Sequence, residues 1–170
     1  MNFKWIGATL IICGCGFIGF KVSATYRREE HDLQQLIYAL DYIACELQYR
    51  RSPLPDLCRS AGSEQNGCIG KLFLNLADEL ESQISPDVQS CLAVAAATAG
   101  QLSSRIQQAI CILGASLGRF DLEGQLQGLE SVRIYCRGEL EKMSKDRDTR
   151  LRSYQTLGIC TGAALAILFI

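Results

Sequence analysis

The residue types that could do chemistry in this chain are one histidine, nine cysteines and several closely spaced carboxylates. A Cys–His nucleophile pair would need His31, which sits in the charged run Arg27-Arg28-Glu29-Glu30-His31-Asp32, the composition of a solvated helix face. Glu79 and Glu81, Glu139 and Glu141, and Asp146 and Asp148 are spaced two apart. That spacing turns two side chains to different sides of a helix, so they cannot share a proton. There is no CxxC pair, and a single histidine leaves a zinc site little to draw on. Gly14-Cys15-Gly16 has no lysine placed as a phosphate-binding loop requires. The expectation is no enzyme activity, no cofactor and no metal.

Charge and cysteine placement narrow the class further. The formal net charge is −1, which gives no electrostatic reason to expect nucleic acid as a partner. The cysteine count is odd and the chain is not small, so a disulfide framework is a poor fit. Cys13, Cys15 and Cys160 lie in apolar ends, and Cys45, Cys91, Cys111 and Cys136 fall on or beside apolar stripes as small buried hydrophobes. Cys58 and Cys68 flank a loop by composition. Reduced cysteines favour a core in the cytoplasm.

Both chain ends are apolar. Trp5 to Phe20 carries no charge over sixteen residues, roughly 24 Å of helix, and Ser153 to Ile170 carries none at all. Extended through Val22-Ser23-Ala24 with Lys21 snorkelling, the first end makes a membrane span. Its rival is a cleaved signal peptide with Met1-Asn2-Phe3-Lys4 as the basic leader, or a lipoprotein variant at Ile12-Cys13-Gly14-Cys15. Five basic residues, Lys142, Lys145, Arg147, Arg150 and Arg152, precede the second apolar end, and nothing positive follows it. By the positive-inside rule they mark the cytoplasmic side, and Lys21, Arg27 and Arg28 after the first span agree, against Lys4 before it. The preferred organisation is a membrane helix at 1–24, a cytoplasmic helical domain at 25–152 and a membrane helix at 153–170. The basic run could also attract anionic head groups, or be a solvated helix face with i,i+4 pairs such as Glu141–Lys145 and Asp146–Arg150.

Between the ends the periodicity is helical throughout. Leu33, Leu36, Ile37, Leu40, Ile43, Ala44 and Leu47 define an amphipathic helix to about Tyr49. Ser52-Pro53 reads as an N-cap with proline at the first helical position, followed by a short helix with Leu54, Leu57, Cys58 and Ala61 inward. Gly62 to Gly67 is a loop by composition. Ile69, Leu72, Phe73, Leu76 and Leu80 mark the next helix, and Ser85-Pro86 repeats the capping arrangement ahead of Val88, Cys91, Leu92 and Ala95. Gly100 is a stop, and a helix from about Ser103 to Leu117 carries Ile106, Ile110 and Leu113. Asp121 then caps a last helix with Leu122, Leu126, Leu129, Val132, Cys136, Leu140 and Met143 on one face. No window alternates as a strand would. The fold class is all-α, an elongated helical bundle between two membrane helices.

The tight polar turn Leu117-Gly118-Arg119-Phe120-Asp121 with Gln125 is the most specific local feature. It is at once a helix stop, a capped helix start and a candidate docking point for a partner.

Together with Tyr154-x-x-Leu157-Gly158-x-x-x-Gly162 and Glu46-x-x-Tyr49 before Ser52-Pro53-Leu54, the Leu117-Gly118-x-x-Asp121 and Gln125 pattern resembles the stage III sporulation protein AB family. The resemblance spans the whole chain, and departs near Cys91-Leu92, where many members have a tryptophan, and at Gly124, where a helix former is more usual. It implies a membrane-anchored scaffold subunit of the secretion-like channel between mother cell and forespore. The cytoplasmic domain would be similar to those of type II secretion platform proteins. The expected partners are a secretion-type ATPase, stage III sporulation protein AA, and other channel subunits of the same operon. The location would be the mother-cell-derived outer forespore membrane, with the core in the cytoplasm. The hypothetical docking residues are Leu117, Gly118, Asp121 and Gln125, with Ser52, Pro53 and Leu54. A competing reading is a membrane-bound helical adaptor or regulator unrelated to secretion, pairing through Gly14, Gly16 and Gly19 or Gly158 and Gly162. A third is an exported protein anchored at its C-terminus.

Overall fold

A computed structural model describes the backbone of residues 2–49, 52–82, 87–117 and 122–169, and side chains over 25–49, 52–82, 87–117 and 122–145. It contains six helices: α1 (Asn2–Tyr49), α2 (Leu54–Glu64), α3 (Gly67–Ser82), α4 (Val88–Thr98), α5 (Ser104–Ser116) and α6 (Leu122–Phe169). No strand occurs among the described residues, as the uninterrupted 3.6-residue periodicity predicts. Two compact units divide the chain, one formed by Met1–Arg28 with Glu141–Ile170, the other by Glu29–Leu140.

The 29–140 unit holds the core. From α1 it takes Leu33, Leu36, Leu40 and Ile43, from α3 Ile69, Leu72, Phe73 and Leu76, from α5 Ile106 and Leu113, and from α6 Leu129, Val132 and Cys136, all with no exposure. These are the positions the apolar spacing assigns to one face of each helix. Successive helices are neighbours, α2 on α3, α3 on α4 and α4 on α5. Ion pairs also link α1, α5 and α6: Asp41 of α1 meets Arg133 of α6, and Arg105 of α5 reaches both Glu29 of α1 and Glu139 of α6.

Local chemistry explains most boundaries. Ser103 caps α5, its hydroxyl accepting from the Ile106 amide at 3.3 Å. After α4 the chain reverses at Gly100, whose φ of +112° suits glycine. The α2 start differs from expectation. Pro53, not Ser52, occupies the cap position, and no side chain caps the helix. Instead the Pro53 carbonyl accepts from the Leu57 amide at 3.2 Å, and Asp56 places a negative charge in the first turn.

The region from Gly62 to Gly67 also differs. Helix α2 continues through Glu64, leaving only Gln65 and Asn66 as the connection. Gly62 is a spacer here rather than a breaker: a Cβ on it would stand 2.9 Å from the Gly70 carbonyl oxygen and 2.9 Å from the Leu74 amide. Cys58 and Cys68 therefore do not flank a loop; both are buried inside helices. Burial pushes the Cys58 thiol up to about 12 and the Cys136 thiol, with help from Glu139, to about 11. Cys45 and Cys111 are corrected in the other direction, since both are exposed.

The expected membrane helices at 1–24 and 153–170 lie outside the residues whose side chains are described, as does the Ser85-Pro86 cap. Among the described residues no helix is long and apolar enough to cross a membrane. The backbone of α6 is helical from Leu122 to Phe169, with no break at Gly138.

Candidate functional site: the 52–54 and 117–125 turns

The segment ahead of α2 and the start of α6, distant in sequence, come together in the 29–140 unit. Ser52, from the segment ahead of α2, and Gln125, from the first turns of α6, line one depression of about 320 Å³ with Leu47 and Leu122. Leu47 is nearly buried at the end of the α1 stripe, whereas Leu122 is 40% exposed. Leu122 was expected on the buried face, but at the very start of its helix it opens to the depression. The result is a shallow surface with two apolar walls and two polar groups, a hydroxyl and an amide, each able to donate and accept. Such a surface can take up a partner's side chain or backbone.

The other predicted docking residues fall around it unevenly. Pro53 is exposed and Leu54 half-buried. Leu117 is buried in the core at 1% exposure, its amide donating to the Leu113 carbonyl at 3.0 Å as α5 ends. It belongs to the core and offers no surface. Gly118 and Asp121 lie outside the described residues.

The predicted membrane-flanking cations are only partly described. Arg27, Arg28, Lys142 and Lys145 are exposed, and Lys145 donates to Glu141 at 2.7 Å, the expected i,i+4 pair. The side chains of Lys21, Arg147, Arg150 and Arg152, and the Asp146–Arg150 pair, lie outside the described residues. Glu139 turns to Arg105 while Glu141 turns to Lys145, so these two carboxylates do face different sides.

The 27–32 run needs correction. It is not a uniformly solvated face, because Asp32 is 8% exposed and Glu29 is ion-paired with Arg105. His31 itself is exposed and lies 3.1 Å from the amide nitrogen of buried Gln35. Sequence reasoning missed the Glu29–Arg105–Glu139 set; a cation in the first turn of an otherwise uncharged α5 was the available signal. Among the described residues no three His, Cys, Asp or Glu side chains gather as a metal site would need.

The class these features define is an all-α protein whose first and last helices, 48 residues each, are shared between two compact units, with its shaped surface at inter-helix turns. The chain belongs to the stage III sporulation protein AB family, whose model matches residues 4–170. A solved structure of a stage III sporulation protein AB has a similar fold, with a TM-score of 0.65 and 14% identity over 72% of this chain and 98% of that one. No curated protein matches the chain. Family membership gives it a role in sporulation.

Proposed function

We propose that this chain is a non-catalytic, membrane-anchored scaffold of the sporulation channel between mother cell and forespore. The 29–140 unit docks a secretion-type ATPase, stage III sporulation protein AA, through the surface around Ser52 and Gln125. The domain acts as type II secretion platform domains do, by orienting the motor. It sits in the cytoplasm, held by apolar helices at 1–24 and 153–170 in the mother-cell-derived outer forespore membrane, beside other channel subunits of the operon. The observation that carries the docking surface is the shared depression lined by Leu47, Ser52, Leu122 and Gln125. The basic residues before the second apolar end support the topology.

Co-purification of the full chain with the ATPase tests the docking. Leu122→Asp with Gln125→Ala should reduce recovery of the ATPase by about tenfold or more, because an interface centre concentrates its binding energy in few residues. Unchanged recovery from a folded variant would sink the assignment. Topology is tested by impermeant maleimide on intact cells, read at Cys45 and Cys111, the exposed thiols among the described residues. They should stay unlabelled until the cells are opened; labelling from outside would place the unit on the other side. Cys58 and Cys68 are uninformative here, since burial protects them on either side.

A further inference from the structure

The hairpin of α4 and α5 carries almost no charge: from Val88 to Leu117 the only charged residue is Arg105, and its guanidinium is turned to Glu29 and Glu139. Helix α5 lies between two neighbours. On one side Gly114 admits α4 so closely that a Cβ there would stand 3.3 Å from the Gln89 Cγ. On the other, Ser116 packs on Gly128 of α6 and the Tyr135 hydroxyl donates to Gln108 at 3.0 Å. The outward stripe of α5, with Cys111 and Ala115, is exposed, as are Ala93 and Ala97 on α4. The same face continues on the near half of α6 through Ser131 and Ile134, the latter 62% exposed. Glu130, Arg133 and Arg137 stand on the other half, towards α1, where Arg133 meets Asp41. Three neighbouring helices, each about 10 Å wide and about 20 Å long over the 13 residues of α5, thus present roughly 600 Å² without a charge. That is close to the area of about 800 Å² that one partner gives to a standard interface, and depletion of charge marks interface centres.

We propose that this face is where a second copy of the chain docks. Charge selects the occupant: a partner's charged group would be stripped of water here with nothing to pair it, so the occupant has to be uncharged as well. The same face of another copy meets that condition. Its relief fits too. Both α4 and α6 run antiparallel to α5, with the same rise per residue. Counted from the contact of Gln89 with Gly114, Ala93 stands level with Ile110; counted from the Tyr135–Gln108 bond, Ile134 stands level with Ala109. A two-fold axis along α5 therefore lays the alanines of α4 in one copy over the protruding Ile134 of the other, twice, and brings the Cys111 of both copies to the axis.

Sedimentation of the full chain in neutral detergent micelles tests the pairing. The unaltered chain should sediment as a dimer. Ile134→Glu should weaken association by about a hundredfold or more, because each interface would then bury two unpaired carboxylates. Adding Ala93→Lys should restore it to within about tenfold, since each lysine meets the glutamate of the other copy while α5 keeps the two apart within one chain. Cys111 supplies a second reading. Maleimide should label it about tenfold more slowly in the unaltered dimer than in Ile134→Glu, with Cys45, on α1, labelled alike in both. A monomeric unaltered chain, or a dimer that Ile134→Glu leaves intact, overturns the proposal. So does an Ile134→Glu variant that Ala93→Lys fails to rescue, or equal labelling of Cys111 in the two.

Discussion

Where α2 meets α3, the helices touch backbone to backbone; where α1, α5 and α6 meet, charged side chains bridge them beside a packed core in which Ser116 lies against Gly128. At the first contact Gly62 and Gly70 leave no room for a side chain, and the residues beside them, Cys58, Ile69 and Phe73, are fully buried. At the second, Asp41 pairs with Arg133 and Arg105 joins Glu29 to Glu139. A close-packed contact has one good arrangement, because a shift of a fraction of an ångström forfeits dispersion or creates overlap. Ion pairs on long side chains tolerate small shifts and answer to salt and to substitution. The α2–α3 contact is the rigid one, and the ion-paired links among α1, α5 and α6 are the adjustable ones, within the same unit.

Breaking the rigid contact gives the largest effect. A Cβ on Gly70 would run into the Gln65 carbonyl and come within 3.0 Å of the Gly62 oxygen, both backbone atoms that cannot swing aside. Gly70→Ala should therefore lower the stability of the fold by about 3 kcal/mol in urea denaturation. Gly138 is the matched control: nothing lies within 4 Å of its would-be Cβ. There the same change should stabilise by about 0.5 kcal/mol through the unfolded chain. Equal effects at the two sites would erase the distinction.

Breaking an adjustable contact should matter less and depend on salt. Asp41 and Arg133 link α1 to α6, at 38% and 23% side-chain exposure. Asp41→Asn should cost about 1 kcal/mol, shrinking as salt is raised towards about 1 M, where the screening length falls to roughly 3 Å. A loss that salt leaves untouched would mean the pair acts through packing.

The apolar core was the most legible part. The buried faces of α1, α3 and α5 follow from apolar spacing, and the ends of α5 from Ser103 and Leu117, because these are local rules. The α2–α3 crossing was not legible from the same rules. Gly62 beside Ser63 and Asn66 has the composition of a loop, and a glycine that admits a neighbouring helix looks no different in sequence from one that ends its own. Leu122 and Cys111 show a second limit. Each lies on or beside an apolar stripe, yet exposure at a helix end or stripe edge depends on what the neighbouring helices cover. The depression was hardest, since it exists only because the chain before α2 lies beside the start of α6. The resemblance to the family put both turns among the candidate residues, but their adjacency is a tertiary fact.

Arg59 sharpens the comparison to its smallest effect. Like Arg105 it holds two carboxylates, Glu81 at 2.6 Å and Asp78 at 2.8 Å, and so links α2 to α3. Unlike Arg105 it does so in solvent, with side-chain exposures of 43% for Arg59, 47% for Glu81 and 72% for Asp78. The hydrogen bond from Arg59 holds the Glu81 carboxyl below its ordinary value of 4.5, against an opposing desolvation. A carboxyl depressed by folding adds whatever it adds above its unfolded value, and loses it as pH falls through the folded one. For a pair this exposed, water and salt screen the attraction, and the glycine contact beneath already fixes the crossing. Glu81→Gln should thus leave the urea midpoint unchanged at neutral pH, while Arg105→Gln lowers it. A fall in the Glu81→Gln midpoint that vanishes as pH drops through the depressed Glu81 carboxyl would show that charge also matters at the close-packed crossing, and that burial does not separate the two arginines.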